Sequence, residues 1–157
     1  MEQLKRMDLS VAIDHAINMK NIAIVGIKQD GAAWKDMQGL ISRGYCVYPV
    51  NPELATKGIS IQEIPVVSSL VEIDETVECV NLHIKSEDVE FWVNDISERM
   101  ERRADIDAVW FEPGIELGTA VIDAADFGWM VVSEKCLLRE VKNHNMDFLM
   151  EEVIDKL

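Results

Sequence analysis

The chain has 157 residues, a length that suits one domain with one hydrophobic core. Its 29 acidic and 15 basic residues give a net charge of −14, which repels nucleic-acid phosphates and anionic membrane surfaces. No apolar run approaches the roughly 20 residues that span a bilayer, and the N-terminus lacks the apolar segment of a secretory signal. We therefore expect a soluble, cytoplasmic protein that binds neither nucleic acid nor membrane.

The three cysteines and three histidines form no pattern typical of a disulfide framework or a metal site. The cysteines are odd in number and widely separated, which argues against disulfides and against the paired spacings of zinc sites. The histidines form no HxxxH or HExxH motif. These observations predict a reducing compartment and no metal.

Apolar runs alternate with amphipathic stretches along the chain, an order that predicts a parallel sheet. The five predicted strands are residues 22–27, 45–50, 77–84, 108–111 and 129–132. Predicted helices lie in the N-terminal segment 1–20, after the first strand up to Gly44, from Ser86 to about Arg103, from the turn at Glu112 to Phe127, and in the tail 135–157. The stretch 53–76 has no sustained period and predicts a connection with a short helical turn near Ser69–Ile73.

Five strands with crossover helices predict one Rossmann-like α/β domain over residues 1–157, with helices on both faces of a doubly wound parallel sheet. We expect the strand order 3-2-1-4-5, with residues 1–20 as an N-terminal helical extension and 146–157 as a C-terminal helix. In such a sheet, a ligand crevice opens at the carboxyl ends of the strands where the chain reverses direction. The predicted crevice lies between the first and fourth strands.

The loop after the first strand carries features typical of phosphate binding. Gly26 and Gly31 let an anion approach the backbone, and the following helix offers unpaired N–H groups. Lys28 and Lys35 flank that helix start and could neutralise a pyrophosphate in this acidic chain. The loop lacks the G-x-G-x-x-G fingerprint of NAD-binding domains, and the glycines alone could simply shape a turn.

Three further loops follow predicted strands. Asn51-Pro52 stands where an NAD-type domain has an acidic residue; Asn51 could bond a ribose or base, or merely start a turn. His83 precedes Ile84 and Lys85 at a helix start, either as a site residue or as an ordinary half-buried histidine. The turn Glu112-Pro113-Gly114 lies at the predicted crevice rim or serves only as a helix entry.

Taken together, these segments resemble the small CoA-binding family, the stand-alone relatives of the N-terminal domain of succinyl-CoA synthetase α subunits. The resemblance covers roughly residues 20–145. The segments that carry it are Ile-Ala-Ile-Val-Gly26, Gly44-Tyr-Cys-Val-Tyr-Pro-Val-Asn-Pro52, Trp110-Phe-Glu-Pro-Gly114 and Val131-Val-Ser-Glu-Lys-Cys136.

The resemblance implies a CoA or acyl-CoA ligand and assigns roles by position. Gly26, Ile27 and the loop from Lys28 through Trp34 to Lys35 would surround the diphosphate, and Asn51 and Pro52 would flank the adenosine end. His83, Ile84 and Lys85 would line the cleft, and Glu112, Pro113 and Gly114 would approach the pantetheine arm. The first loop departs from the family in lacking a hydroxyl, and Glu112 stands where the amide glutamine is common.

Cys136 follows Lys135 at a predicted helix start and is either a reactive thiol with a lowered pKa or a small buried side chain. No other residues form a catalytic set. The sequence thus favours a non-catalytic or regulatory CoA-binding protein that takes a small nucleotide ligand. Its alternatives are an NAD(P)-binding oxidoreductase-like domain and a nucleotide-binding subunit of an acyl-CoA synthetase-like complex, and the tail could mediate a homodimer.

Overall fold

The computed structural model of the chain describes residues 9–119 and 128–144. Its strands are β1 (Asn21–Val25), β2 (Cys46–Val50), β3 (Ser60–Ile61), β4 (Ile64–Pro65), β5 (Cys79–Leu82), β6 (Ala108–Phe111) and β7 (Met130–Val132). Its helices are α1 (Leu9–Ile17), α2 (Ala32–Ile41), α3 (Pro52–Thr56), α4 (Val89–Arg103) and α5 (residues 137–144). Two single 3₁₀ turns span Leu70–Glu72 and Ser86–Asp88. No helix in these ranges is long and apolar enough to cross a bilayer.

Five parallel strands form one sheet in the order β2-β1-β5-β6-β7, and β3 and β4 make a small antiparallel hairpin. Side chains alternate across the sheet, as the twofold period of a strand requires. Ile22 and Ile24 of β1 pack in one core with residues of α1, α2 and α5, whereas Ala23 and Val25 pack in a second core with residues of α4. The predicted α/β class, with helices on both faces of a five-stranded parallel sheet, is confirmed.

The order of the first three sheet strands differs from the prediction. When the five strands of the parallel sheet are numbered one to five along the chain, their observed order in the sheet is 2-1-3-4-5. β1 therefore lies between β2 and β5, and β2 is an edge strand. The physical reason lies in Pro49 of β2, because proline cannot donate to a ladder and is confined to edge strands. The carbonyl of Pro49 points away from β1 and accepts from the N–H of Val67 at 3.1 Å. The direction of the chain therefore reverses between β1 and β5.

Several local predictions can be compared with the structure. The predicted N-terminal helical segment is described from residue 9 onward, where it forms α1 with Ala12 and Ala16 buried in the core; its residues 1–8 lie outside the described residues. The short turn expected near Ser69–Ile73 is present. The stretch 53–76 also contains the unpredicted α3 and the β3–β4 hairpin. Residues 112–119 are turns rather than the start of a helix. The rest of that predicted helix, residues 120–127, and the tail 145–157 lie outside the described residues.

A buried arginine ties α4 to the chain before β5. Arg99 is fully buried, and its guanidinium donates to the carbonyls of Leu70 at 2.6 Å, Ile73 at 2.7 Å and Glu75 at 2.7 Å. It also donates to both carboxylate oxygens of Asp105, at 2.7 and 3.2 Å. All five N–H donors of the side chain are thus used.

Acidification should weaken the interaction between Arg99 and Asp105. Burial raises the pKa of Asp105, but hydrogen bonds from Arg99 and from the N–H of Val77, with the charge of Arg99, outweigh it and lower the pKa. A carboxyl with a lowered pKa in the folded state stabilises the fold above its unfolded pKa of about 3.9, and this contribution is lost as the pH falls through the folded value. Urea unfolding of the wild type and Asp105→Asn should differ most near neutral pH and converge in acid. A constant difference across the range would contradict the assignment.

Candidate ligand-binding crevice

The carboxyl ends of β1 and β5 meet so closely that only glycine fits between them. The N–H of His83 donates to the carbonyl of Val25 at 2.9 Å, and the N–H of Gly26 donates to the carbonyl of Val50 at 3.0 Å. Gly26 has a φ of +89°, and a Cβ built on it would lie 1.9 Å from the carbonyl oxygen of His83. Gly26 is therefore required both for its backbone conformation and for the approach of the neighbouring strand.

The loop after Gly26 leads into α2 through a tight turn. The N–H of Gly31 donates to the carbonyl of Lys28 at 2.9 Å, and Gly31 occupies the N-cap position without any side-chain hydrogen bond. The first N–H groups of a helix have no partner within the helix and carry its positive dipole end. The start of α2 thus has the donor chemistry of an anion site.

A cavity of about 380 Å³ lies at this switch point of the sheet. Seven of the predicted site residues line it together with Asp88 and Trp92; these seven are Gly26, Lys28, Asn51, Pro52, His83, Ile84 and Lys85. Lys28 and Lys85 are exposed, so the cavity carries two cations in a strongly acidic protein. The predicted crevice exists, but between β1 and the third sheet strand, β5, rather than between the first and fourth.

Asn51 lines the cavity and also holds its wall together. Its side-chain oxygen accepts from the N–H groups of Glu53 at 2.8 Å and Leu54 at 3.2 Å, which caps α3. Its side-chain amide donates to the carbonyl of Ile27 in the neighbouring loop. The turn-forming interpretation of Asn51 is therefore correct, and only one amide N–H of its side chain is left for a ligand.

His83 is the most buried titratable group of the cavity. Its Nε2 lies 2.8 Å from Oδ1 of Asn81 and 3.7 Å from Oδ2 of Asp36. Burial lowers the pKa of His83, against the opposing effect of the Glu112 and Asp36 carboxylates. The imidazole is accordingly a neutral, hydrogen-bonded group at neutral pH.

Behind His83, three groups from different elements form what we call the polar cluster: Asp36 of α2, Glu112 after β6 and Cys136 before α5. A carboxylate oxygen of each acid and the Sγ of Cys136 all lie within 4.8 Å of one another. Burial and the neighbouring Glu112 raise the pKa of Asp36, although His83 opposes them. Burial, with the charges of Glu112 and Asp36, raises the pKa of Cys136. These surroundings favour the alternative of a half-buried thiol for Cys136 over a thiol activated by a lowered pKa.

The remaining predicted site residues do not line the cavity. Ile27 lies in the loop just after β1 and is fully buried in the core, and Trp34 of α2 packs against that core. Lys35, Pro113 and Gly114 are exposed and outside the cavity wall. Glu112 and Cys136 belong to the polar cluster and do not line the cavity.

Four residues of this region were not singled out from the sequence. Trp92 packs in the core with other residues of α4, yet it also forms part of the cavity wall. Asp88 and Asp36 lie in helical stretches where acidic residues normally face solvent. Asn81 carried the clearest signal, because it is a polar residue inside the otherwise apolar and fully buried strand β5.

A sequence-family model matches residues 20–142, and the family is described as a CoA-binding domain. The chain belongs to this CoA-binding family. No curated protein matches the chain. The family assignment agrees with the resemblance seen in the sequence segments.

Solved structures share the fold of this CoA-binding domain. Prb, a protein redesigned for binding, is 24% identical with a TM-score of 0.75, over 88% of this chain and 92% of its own. A hypothetical protein from Pyrococcus horikoshii OT3 is 23% identical with a TM-score of 0.75, over 88% and 93%. A protein from Thermus thermophilus is 23% identical with a TM-score of 0.74, over 87% and 96%. At this identity the likeness concerns the fold.

Proposed function

We propose that the chain is a non-catalytic binding protein for CoA or an acyl-CoA, with the ligand in the crevice between β1 and β5. The observation that carries the proposal is that the glycine-only junction at Gly26 and the exposed cations Lys28 and Lys85 line one cavity. The loop that begins at Lys28 leads from this cavity into the uncapped start of α2. The family assignment to CoA-binding domains supports the same ligand class.

The charge distribution supports an anionic ligand at this place. A net charge of −14 repels anions over most of the surface, so a phosphate ligand needs a local source of positive potential. Lys28, Lys85 and the N–H groups of α2 supply one. In our proposal the diphosphate lies there, the adenosine end lies towards Asn51 and Pro52, and the pantetheine arm extends past His83.

Among residues 9–119 and 128–144, neither His83 nor Cys136 is an activated nucleophile, which favours binding over catalysis. His83 has a lowered pKa and a ring nitrogen already occupied by Asn81, and the pKa of Cys136 is raised. Neither group is paired as a base with a nucleophile. A regulatory or carrier role is consistent with such a site.

Removing one lysine of the crevice should weaken CoA binding. We expect Lys28→Ala and Lys85→Ala each to raise the Kd for CoA about tenfold, because each removes one charge-assisted contact to phosphate. Isothermal titration calorimetry at low ionic strength measures this effect, and added salt should reduce the wild-type affinity.

Lys20→Ala is the matched control. Lys20 is also an exposed lysine, but it precedes β1 at the opposite end of that strand and lies 4.4 Å from the ring centre of Tyr45. Its removal should leave the Kd unchanged. Equal losses for all three variants would mean that only net charge matters. Saturable binding of NADH in place of CoA would support the oxidoreductase-like alternative instead.

A further inference from the structure

The polar cluster behind His83 combines side chains of the kinds that bind transition metals. Asp36 and Glu112 offer carboxylate oxygens and Cys136 offers sulfur, all within 4.8 Å of one another. The imidazole Nε2 of His83 lies 3.7 Å from Oδ2 of Asp36. The sequence indicated no metal site because these donors are far apart along the chain and no local motif contains them.

Glu112 is held in place by neutral donors. Its Oε2 accepts from the side-chain amide of Asn81 at 2.9 Å and from the N–H of Leu137 at 3.0 Å, where α5 begins. The nearby loop is fixed as well, since the indole of Trp110 donates to the carbonyl of Lys135 at 2.7 Å. Hydrogen bonds of this kind orient metal-binding carboxylates in proteins. Glu112 is thus oriented by hydrogen bonds before any ligand arrives.

In the described part of the chain, the charges of the cluster are not balanced by a lysine or an arginine in direct contact. Within residues 9–119 and 128–144, no lysine or arginine forms a salt bridge with Asp36 or Glu112. Lys142 on α5 acts on Asp36 only through its field. Two half-buried carboxylates at this separation repel each other unless a proton or a cation lies between them. A divalent cation would relieve this repulsion.

We propose that Asp36, Glu112 and Cys136 form a binding site for a divalent transition metal of the zinc type, with His83 beside it. Mixed oxygen and sulfur donors suit Zn²⁺ or Co²⁺ better than Mg²⁺ or Ca²⁺, which prefer oxygen alone. Three protein ligands leave a coordination position open for a small molecule. This site is independent of the CoA proposal, because its donors lie outside the wall of the nucleotide cavity apart from His83.

Co²⁺ titration of the tag-free chain, stripped with chelator and without CoA, tests the site. We expect saturable one-to-one binding with a sulfur-to-cobalt charge-transfer absorption, displaced by Zn²⁺. Cys136→Ser should abolish the charge-transfer band, and Glu112→Gln, nearly equal in shape, should weaken binding at least about tenfold. Circular dichroism establishes that each variant is folded.

Cys46→Ser is the control, because Cys46 is an exposed free cysteine on the edge strand β2. It should keep both the affinity and the charge-transfer band. The proposal is overturned if the folded wild type shows no saturable Co²⁺ or Zn²⁺ binding, or if binding survives unchanged in both Glu112→Gln and Cys136→Ser. Calorimetry with CoA on the metal-free chain reports separately on the nucleotide site.

Discussion

Gly26→Ala should lower the free energy of unfolding by about 3–5 kcal/mol and abolish measurable CoA binding. Gly26 has a φ of +89°, and its Cβ would lie 1.9 Å from the carbonyl oxygen of His83. The alanine cannot be accommodated by rotating a side chain, because the clashing atom belongs to the backbone directly after β5. β1 and β5 must separate, which breaks the bond from the N–H of His83 to Val25 and opens the crevice.

Gly44→Ala separates the two causes of this loss. Gly44 has a similar φ of +90°, but a Cβ on it would meet no atom within 4 Å. Gly44→Ala should therefore lower the free energy of unfolding only by the strain of a left-handed residue, about 1–2 kcal/mol. It should leave the Kd for CoA unchanged. Chemical denaturation of both variants, with calorimetry on the folded fraction, makes the comparison. Equal stability of the two variants would show that the close approach at Gly26 is unimportant.

Arg99→Met should lower the free energy of unfolding by about 3–5 kcal/mol. The methionine fills similar space but removes the hydrogen bonds from Arg99 to three carbonyls and to the Asp105 carboxylate, which keeps the N–H of Val77. Since the arginine joins α4 to the segment before β5, its loss should loosen both. Arg99→Lys should recover only part of the stability, because an ammonium group has three donors where the guanidinium uses five.

Arg102→Ala on the same helix is the matched control for Arg99. Arg102 forms an exposed ion pair with Glu98 at 3.0 Å, and such pairs contribute little. Its removal should change stability by no more than about 0.5 kcal/mol in urea unfolding. Full recovery in Arg99→Lys would indicate that charge alone, and not the planar donor geometry, matters at this position.

The sheet strands were predictable because each is a short apolar run followed by a turn residue. The strand positions also predicted that Gly26, Asn51 and His83 lie close together, since the carboxyl ends of parallel strands share one edge of a sheet. The strand order was not predicted correctly, although Pro49 already indicated that β2 is an edge strand. Periodicity alone describes each element and leaves the pairing of the elements open.

The polar cluster could not be predicted because it depends on tertiary contacts alone. Asp36 lies in the middle of α2, where its neighbours in sequence give it the pattern of a solvent-facing residue. Only the packing of α2 and α5 on the same face of the sheet brings it 4.0 Å from the sulfur of Cys136. In the sequence, Glu112 stands out as a departure from the CoA-binding family and Cys136 as a candidate reactive thiol, but nothing in the sequence places the two residues together.

Native mass spectrometry of the chain, purified without added ligand and then titrated with CoA, tests the central claim most directly. We predict a mass increase equal to one CoA or acyl-CoA, saturating at one ligand per chain and weakened in Lys28→Ala and Lys85→Ala. A folded chain that remains free of ligand at high CoA concentration would contradict the proposed function.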